Sequence, residues 1–514
     1  MKTTRFISIA LALALSASLF TGCSNSSSSS GSSTGSQGIK EEIVIAQNSD
    51  AKSLDLQASN DGGSLNVNAQ IYDTLVVKNE DGTFSPHLAK SWEQVSDLVW
   101  QFKLEEGVKF HNGEELKASD VKFTFERGLT STISYMLDFI ESVDVVDEYT
   151  FNLNLKFPYA PILSNLSYTS TGILNEKAVT EAGEDYGQNP IGTGAYMFSN
   201  WKAGDSIELV AFEDYFKGAA PTKKLKYRSI PENTSRSIAL ETGEVDIAYD
   251  IDPVDKETIR SNDQLVLIEA PSLQVDYVGF NMQKEPFTDV RVRQAINYAI
   301  DREGIISAVL LGGGEVATTP ISPKVTMSNP DIVGYPRDVE KAKELLKEAG
   351  YENGFQTTIW TNDNSVRTRI AQIVQANLKE IGIDVAIETL EWSSYLDRTS
   401  NGEHDMFILG WTATTGDPDG AMYVLFHGSS SATAGNKFFY SNDEVSELLD
   451  LGRAETDEAK RQEYYYKAQE LVVEDAPLAA LYYANDCAGI SAKVDGFVLS
   501  PSKSHKLYGV TCAI

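Results

Sequence analysis

Short apolar alternations and longer amphipathic runs succeed one another along this chain. Ile43-Val44-Ile45-Ala46 reads as an opening strand over residues 42–47. Residues 99–104 alternate apolar and polar side chains, as a half-buried strand does, and Phe151, Leu153, Leu155 and Phe157 repeat the alternation. Asp289 is placed to cap a helix that runs to Ile300, striped by Val290, Val292, Ala295, Ile296 and Ala299. Over residues 338–349 Val339, Ala342, Leu345, Leu346 and Ala349 line one face, and Gly350 supplies a left-handed stop. A similar helix over 366–381 ends at Gly382, and Ile383, Val385 and Ile387 then alternate as a strand. A long acidic helical region is predicted over 443–474, ahead of Pro477, and strands over 478–483 and 506–510 close the chain. Helix followed by strand in this way is α/β material.

The first 22 residues break this pattern. Lys2 and Arg5 precede an apolar stretch from Phe6 to Phe20, and Thr21-Gly22 precede Cys23. A basic start, a short apolar core and small residues before a cleavage point read as a secretory signal. The stretch is shorter than the ~20 residues that span a bilayer. A cysteine at this junction resembles the lipobox of bacterial lipoproteins, whose thiol is diacylated; the alternative is a plain secretory signal with a chance cysteine. Residues 23–38 are almost wholly Ser, Gly, Thr, Asn and Gln, the composition of a flexible tether. The rest of the 514 residues, 42% hydrophobic overall, is too long for one compact core, so two or three lobes are expected. A formal net charge of −31, with no basic cluster, repels nucleic acid. Cys487 and Cys512 are the other cysteines; outside the cell they form a disulfide or stay separate thiols, and sequence does not fix which.

Several motifs then recur in a familiar order. His87-Leu88-Ala89-Lys90-Ser91-Trp92 is followed by Trp100 to Leu104, by Gly107-Val108-Lys109-Phe110-His111-Asn112-Gly113 and by Ala118 to Arg127. Read physically, Gly107 and Gly113 permit tight turns, and Ser119 is placed to cap a helix starting at Asp120. Pro190-Ile191-Gly192-Thr193-Gly194-Ala195-Tyr196, Gly243-Glu244-Val245-Asp246 and Arg291-Val292-Arg293-Gln294-Ala295 come later. Together they resemble the family-5 extracellular solute-binding proteins, peptide-type receptors of bacterial ABC importers. The resemblance implies a bilobal, periplasmic-binding-protein-like α/β fold, with two crossing hinge strands and a subdomain inserted in the first lobe. It implies lobe I from 39–70, 189–271 and 485–514, the insert from 71–188, and lobe III from 272–484. The hinges fall near Pro271-Ser272 and Ala484-Asn485.

The same resemblance places the ligand in the cleft between lobes. Leu409 to Asp419 resembles the segment that lays a strand along a bound peptide, so Trp411 is expected against the ligand. The backbone of Thr412, Ala413 and Thr414 is expected to hydrogen-bond it. Peptide receptors carry an Asp for the ligand's ammonium where this chain has Thr414, and dipeptide receptors an Arg for the carboxylate near Thr361. With both charges missing, simple dipeptides are expected to bind poorly, and the segment looks closer to the glutathione-type branch. Asp417 or Asp61 is an alternative partner for an amine; Asp417 equally fits a turn that bonds its own backbone. Ser59-Asn60-Asp61-Gly62 is expected on the first-lobe wall, or is an ordinary loop, and Asn362, Asn364 and Arg367 are candidates on the other wall.

Enzyme signatures are missing: there is no Gly-x-Ser-x-Gly elbow, no phosphate loop and no His-Glu-x-x-His. The five histidines, 87, 111, 404, 427 and 505, lack metal-ligand spacing. No catalytic residue, metal site or cofactor is assigned. The expected protein is a monomeric, lipid-anchored receptor on the outer face of the membrane. It hands a small peptide or peptide-like solute to permease and ATPase subunits. The alternative is a nickel or metal-chelate receptor of the same family, with His404 or His427 contributing a ligand.

Overall fold

The computed structural model describes residues 38–79 and 82–514. The signal segment, Cys23 and the tether up to residue 37 lie outside the described residues. The spine is a twelve-stranded sheet. Its key member is the fourteen-residue strand Leu478–Ser491. Residues 478–482 pair antiparallel with Gln274–Phe280, and residues 485–491 with Leu265–Pro271. One end of the sheet continues through Met406–Thr412 and Gln356–Asn362 to Asp384–Leu390. The other continues through Ile247–Tyr249, Glu42–Gln47 and Lys224–Ser229 to an antiparallel edge. One strand therefore serves two lobes. Each has its own core, one around Ile43, Leu225 and Ile247, the other around Val278, Ile296, Val374 and Ile408. A separate four-stranded antiparallel sheet and the helix Ala118–Gly128 enclose a further core around Phe102, Val121, Phe125 and Phe151.

Local chemistry explains most of the elements. Asp289, Asp338 and Asn364 each cap a helix, accepting from the backbone N–H of Arg291, Lys341 and Arg367. The Gly192-Thr193-Gly194 turn lies hard against the end of the helix Gly62–Ile71. A Cβ on Gly192 would stand 2.0 Å from the Ile71 carbonyl oxygen, and one on Gly194 2.4 Å from that of Gln70. His111 closes the same corner: its amide donates to the Gly192 carbonyl, and its Nε2 bonds the Gly194 carbonyl at 2.9 Å.

Four expectations fail for identifiable reasons. The acidic region is two helices, Asp443–Ala454 and Glu458–Asp475, because Asp457 starts a new helix by accepting from the Lys460 N–H. The strand expected over 506–510 is Thr511–Cys512; the Leu507 N–H is taken by the Gln70 side chain instead of a ladder. Ser119 is not a cap: the helix begins two residues earlier than expected, at Ala118 after Lys117, whose N–H donates to Asp120 Oδ2. Cys487 and Cys512 are free thiols, each buried in a different cluster, so the disulfide is overturned. Cys487 donates to the Ile251 carbonyl, and Cys512 faces Asp246.

The Gly192 corner carries a direct test. Gly192→Ala forces a methyl group into backbone rather than into a yielding side chain, and should cost about 3 kcal/mol. Denaturant unfolding of the variant beside the wild type measures this.

Candidate functional site

A cleft of about 580 Å³ opens where the two lobes meet, within the range that encloses a small organic ligand. The loop before Gly62–Ile71 forms part of one wall. Ser59, Asn60, Asp61 and Gly62 all line it, with Asn60 Nδ2 donating to Tyr135 Oη. Asp61 is not free to meet an amine. It caps the helix, accepting from the Ser64 N–H and from the hydroxyls of Ser59 and Ser64.

The opposite wall comes from the ends of Gln356–Asn362 and Met406–Thr412 and from the helix Ser365–Glu380. Asn362, Asn364 and Arg367 all line the cleft. Asn364 is the helix cap, and Asn362 Oδ1 accepts from Arg367 Nη1 at 2.9 Å. The Arg367 guanidinium also lies over the Trp392 ring, 5.8 Å from its centre. Trp411 lines the cleft, anchored by its Nε1–H to the Gly420 carbonyl at 2.9 Å, and Thr412 and Thr414 line it beside Trp411.

Four positions differ from expectation. Ala413 is buried outside the cleft. Its N–H donates to the Leu273 carbonyl and that of Thr414 to the Thr412 carbonyl, so neither amide is free for a ligand. Asp417 is held in a two-point pair by Arg461, at 2.7 and 2.8 Å, and accepts from the Asp419 N–H, so it neutralises a buried guanidinium instead of lining the cleft. Thr361 is wholly buried outside the cleft, so it is not an anchor position.

The floor holds a residue that pattern reading passed over. Asp276 lies in the apolar strand Gln274–Phe280, 6% exposed, and faces the cleft. Gln274 Nε2 donates to its Oδ2 at 2.6 Å, and Thr412 Oγ1 donates to Gln274 Oε1 at 3.3 Å. Burial raises its pKa, against the lowering effect of Arg367 and of Lys503. A charge in the middle of a Val-Asp-Tyr-Val run is the sequence signal that marks it.

Polar bridges cross between the walls. Lys52 pairs with Asp397 at 3.0 Å, and Arg369 with Asp252 at 2.8 Å. The buried Arg453 binds both Asp138 and Asp419, and Tyr159 Oη donates to Asp419 at 2.6 Å. The histidines considered for metal stand apart from the cleft. His404 packs on Phe407, and His427 stacks on Tyr423 with Nδ1 bonded to Ser429. No group of three His, Cys, Asp or Glu is arranged for a metal ion among the described residues.

Comparison with known proteins agrees with this architecture. Residues 83–433 match bacterial extracellular solute-binding proteins, family 5 Middle. The chain belongs to this family. It is 33% identical over 485 residues to heme-binding protein A of Haemophilus influenzae, covering 88% of each chain. It is 32% identical to the glutathione-binding protein GsiB of Pectobacterium atrosepticum, covering 90% of this chain and 92% of that one. In structure it resembles the ABC transporter-associated periplasmic binding protein DppA of Helicobacter pylori in complex with the peptide STSA. The TM-score is 0.87 at 33% identity, covering 92% of this chain and 98% of that one. These relatives are binding proteins, not enzymes, and the family-5 chain is likewise a solute-binding protein.

If Asp417 is structural, removing its partner should damage stability above all. Arg461→Met leaves a buried carboxylate unpaired and should cost about 3–5 kcal/mol in urea unfolding. A loss below about 1 kcal/mol would show that Asp417 does not need Arg461.

Proposed function

We propose that this protein is the receptor of an ABC importer that captures a small peptide or peptide-like solute between its lobes and passes it to permease and ATPase subunits. Residues 39–70, 189–271 and 485–514 form lobe I in this reading, 71–188 the inserted subdomain and 272–484 lobe III. The observation that carries it is the enclosed cleft at the junction of the lobes, walled by Trp411, Trp392 and Tyr168 and by polar side chains of both lobes. Aromatic faces supply apolar contact at low entropic cost, and scattered polar groups fix orientation. Such a site binds and releases; nothing in it sets a nucleophile beside a base. The protein works as a monomer, held to the outer face of the membrane by lipid on Cys23.

The hinge geometry and the cross-wall pairs support closure on the ligand. Lobes joined by two neighbouring strands rotate about them, and the Lys52–Asp397 and Arg369–Asp252 pairs form when the walls approach. Ligand adds contacts to both walls and so favours the closed arrangement.

Titration calorimetry with glutathione and with pools of di- to pentapeptides, alongside small-angle scattering, tests the assignment. Binding should reduce the radius of gyration, and Trp411→Ala should weaken binding by about 2 kcal/mol while leaving the fold intact. Heat without compaction, or neither, counts against the receptor reading. Anchoring is tested separately. Cys23→Ala should leave the protein unprocessed or release it from the membrane, followed by fractionation and mass spectrometry of the N-terminus. A variant still cleaved and membrane-bound refutes the lipid anchor.

A further inference from the structure

Two opposite charges stand in this cleft without forming an ion pair. Asp276 is nine-tenths buried, yet among the described residues its carboxylate has no ion-pair partner. Gln274 holds Oδ2, while Oδ1 accepts no hydrogen bond among the described residues. The strand beside it is cut away to keep that oxygen open. Gly410 faces Asp276 across the ladder, and a Cβ there would stand 2.7 Å from Asp276 Oδ1 and 2.5 Å from Gln274 Nε2. A largely buried carboxylate with one oxygen left without a protein donor is open to a donor from the cleft. Arg367 and Lys503 lower its pKa from a distance, but neither pairs with it: Lys503 is held by Asp486 at 2.7 Å, and Asp486 adds a like charge.

Arg367 is the complement. Asn362 fixes one Nη, Trp392 lies under the guanidinium plane, and no carboxylate pairs with it among the described residues. Its remaining N–H donors are left to the cleft. A guanidinium fixed by a side-chain amide and an aromatic face is prepared for a carboxylate, which it takes with two parallel bonds.

We propose that Asp276 and Arg367 hold the two charged groups of a zwitterionic solute, its ammonium on Asp276 Oδ1 and its carboxylate on Arg367. This rests on the peptide-receptor reading and deepens it by naming the ligand's charge pattern. Charge recognition is thereby moved from the positions of Thr414 and Thr361 to the cleft floor and the start of the helix Ser365–Glu380. Gln274 and Thr412 are positioning residues, which aim the carboxylate without touching the ligand's charge.

The test uses one pool of tri- to pentapeptides in three forms: free termini, N-acetylated and C-amidated. Retention on the intact protein is read by mass spectrometry. The wild type should retain the free pool at least tenfold better than either blocked pool. Asp276→Asn should lose at least tenfold on the free pool and no longer distinguish it from the acetylated pool, while still rejecting the amidated one. Arg367→Gln should show the reverse. Asp276→Asn also removes a buried unpaired charge, so the ligand-free variant should unfold at higher urea than the wild type, opposite to the effect of losing a structural contact. An acetylation penalty as large in Asp276→Asn as in the wild type overturns the assignment, as does wild-type retention of blocked and free pools alike. Retention of no pool by the wild type overturns the peptide reading itself, and the assignment with it.

Discussion

The strand Leu478–Ser491 is the constraint on which the rest of the molecule depends, because it lies in two cores at once. Its first residues pack with Val278 and Ile296, its last with Ile43 and Ile247. A strand shared in this way cannot slip by one residue without turning every side chain in both lobes to the wrong face. It therefore fixes the lobes in register, and its pairing is thinnest at one place. That place is narrow. Pro271, opposite Asn485, has no N–H to give the ladder, and the pairing with Gln274–Phe280 shifts register between Asp276 and Tyr277. The compliant part of the sheet and the floor of the cleft are the same few residues.

That coincidence explains why charge collects there. Residues where two lobes meet are partly covered by both but belong to neither core. Asp276, Asp486 and Lys503 all line this floor, and Asp250 sits beside them in a left-handed conformation at φ 52°. Other buried charges are met in two ways: Arg236, Arg293 and Arg302 by carbonyl oxygens, and other arginines by carboxylates. Arg461 takes both oxygens of Asp417, and Arg453 is shared between Asp138 and Asp419 while lying 3.8 Å over the Tyr423 ring. Each of these pairs would be strongly destabilising with one member removed. Beside these, a carboxylate on the cleft floor with one oxygen left without a protein donor stands apart, and exceptions of that kind occur at working sites.

Legibility in the sequence followed how local the determining physics was. Helices with an Asp or Asn cap and a glycine stop, such as Val339–Glu348 before Gly350, declared both ends within a dozen residues. The loop Ser59 to Gly62, which lines the cleft, was readable as a candidate wall because three polar residues lead into Gly62-Gly63 at the start of a helix. What failed depended on distant partners. Asp417 looks available until Arg461 arrives from a helix more than forty residues on. Leu507 looks like a strand residue until Gln70, at the other end of the chain, takes its amide. The two thiols looked pairable because nothing in the sequence states that they belong to different clusters.

Family membership carries the fold further than it carries the ligand, for a physical reason. The features that matched earliest, the turn at Gly192-Thr193-Gly194 and the corner at His111, have all their donors, acceptors and clearances met within the protein. Their chemistry is closed, so any chain that keeps the fold must keep something like them. Cleft residues are open by comparison: Asp276 Oδ1, the free N–H groups of Arg367 and the exposed face of Trp411 await groups the chain does not contain. Substitution there disturbs few internal bonds, so the framework limits less strictly which charges a given member displays. Which solute a member takes therefore depends on the groups its cleft leaves open, and in this chain these include Asp276 Oδ1 and N–H donors of Arg367.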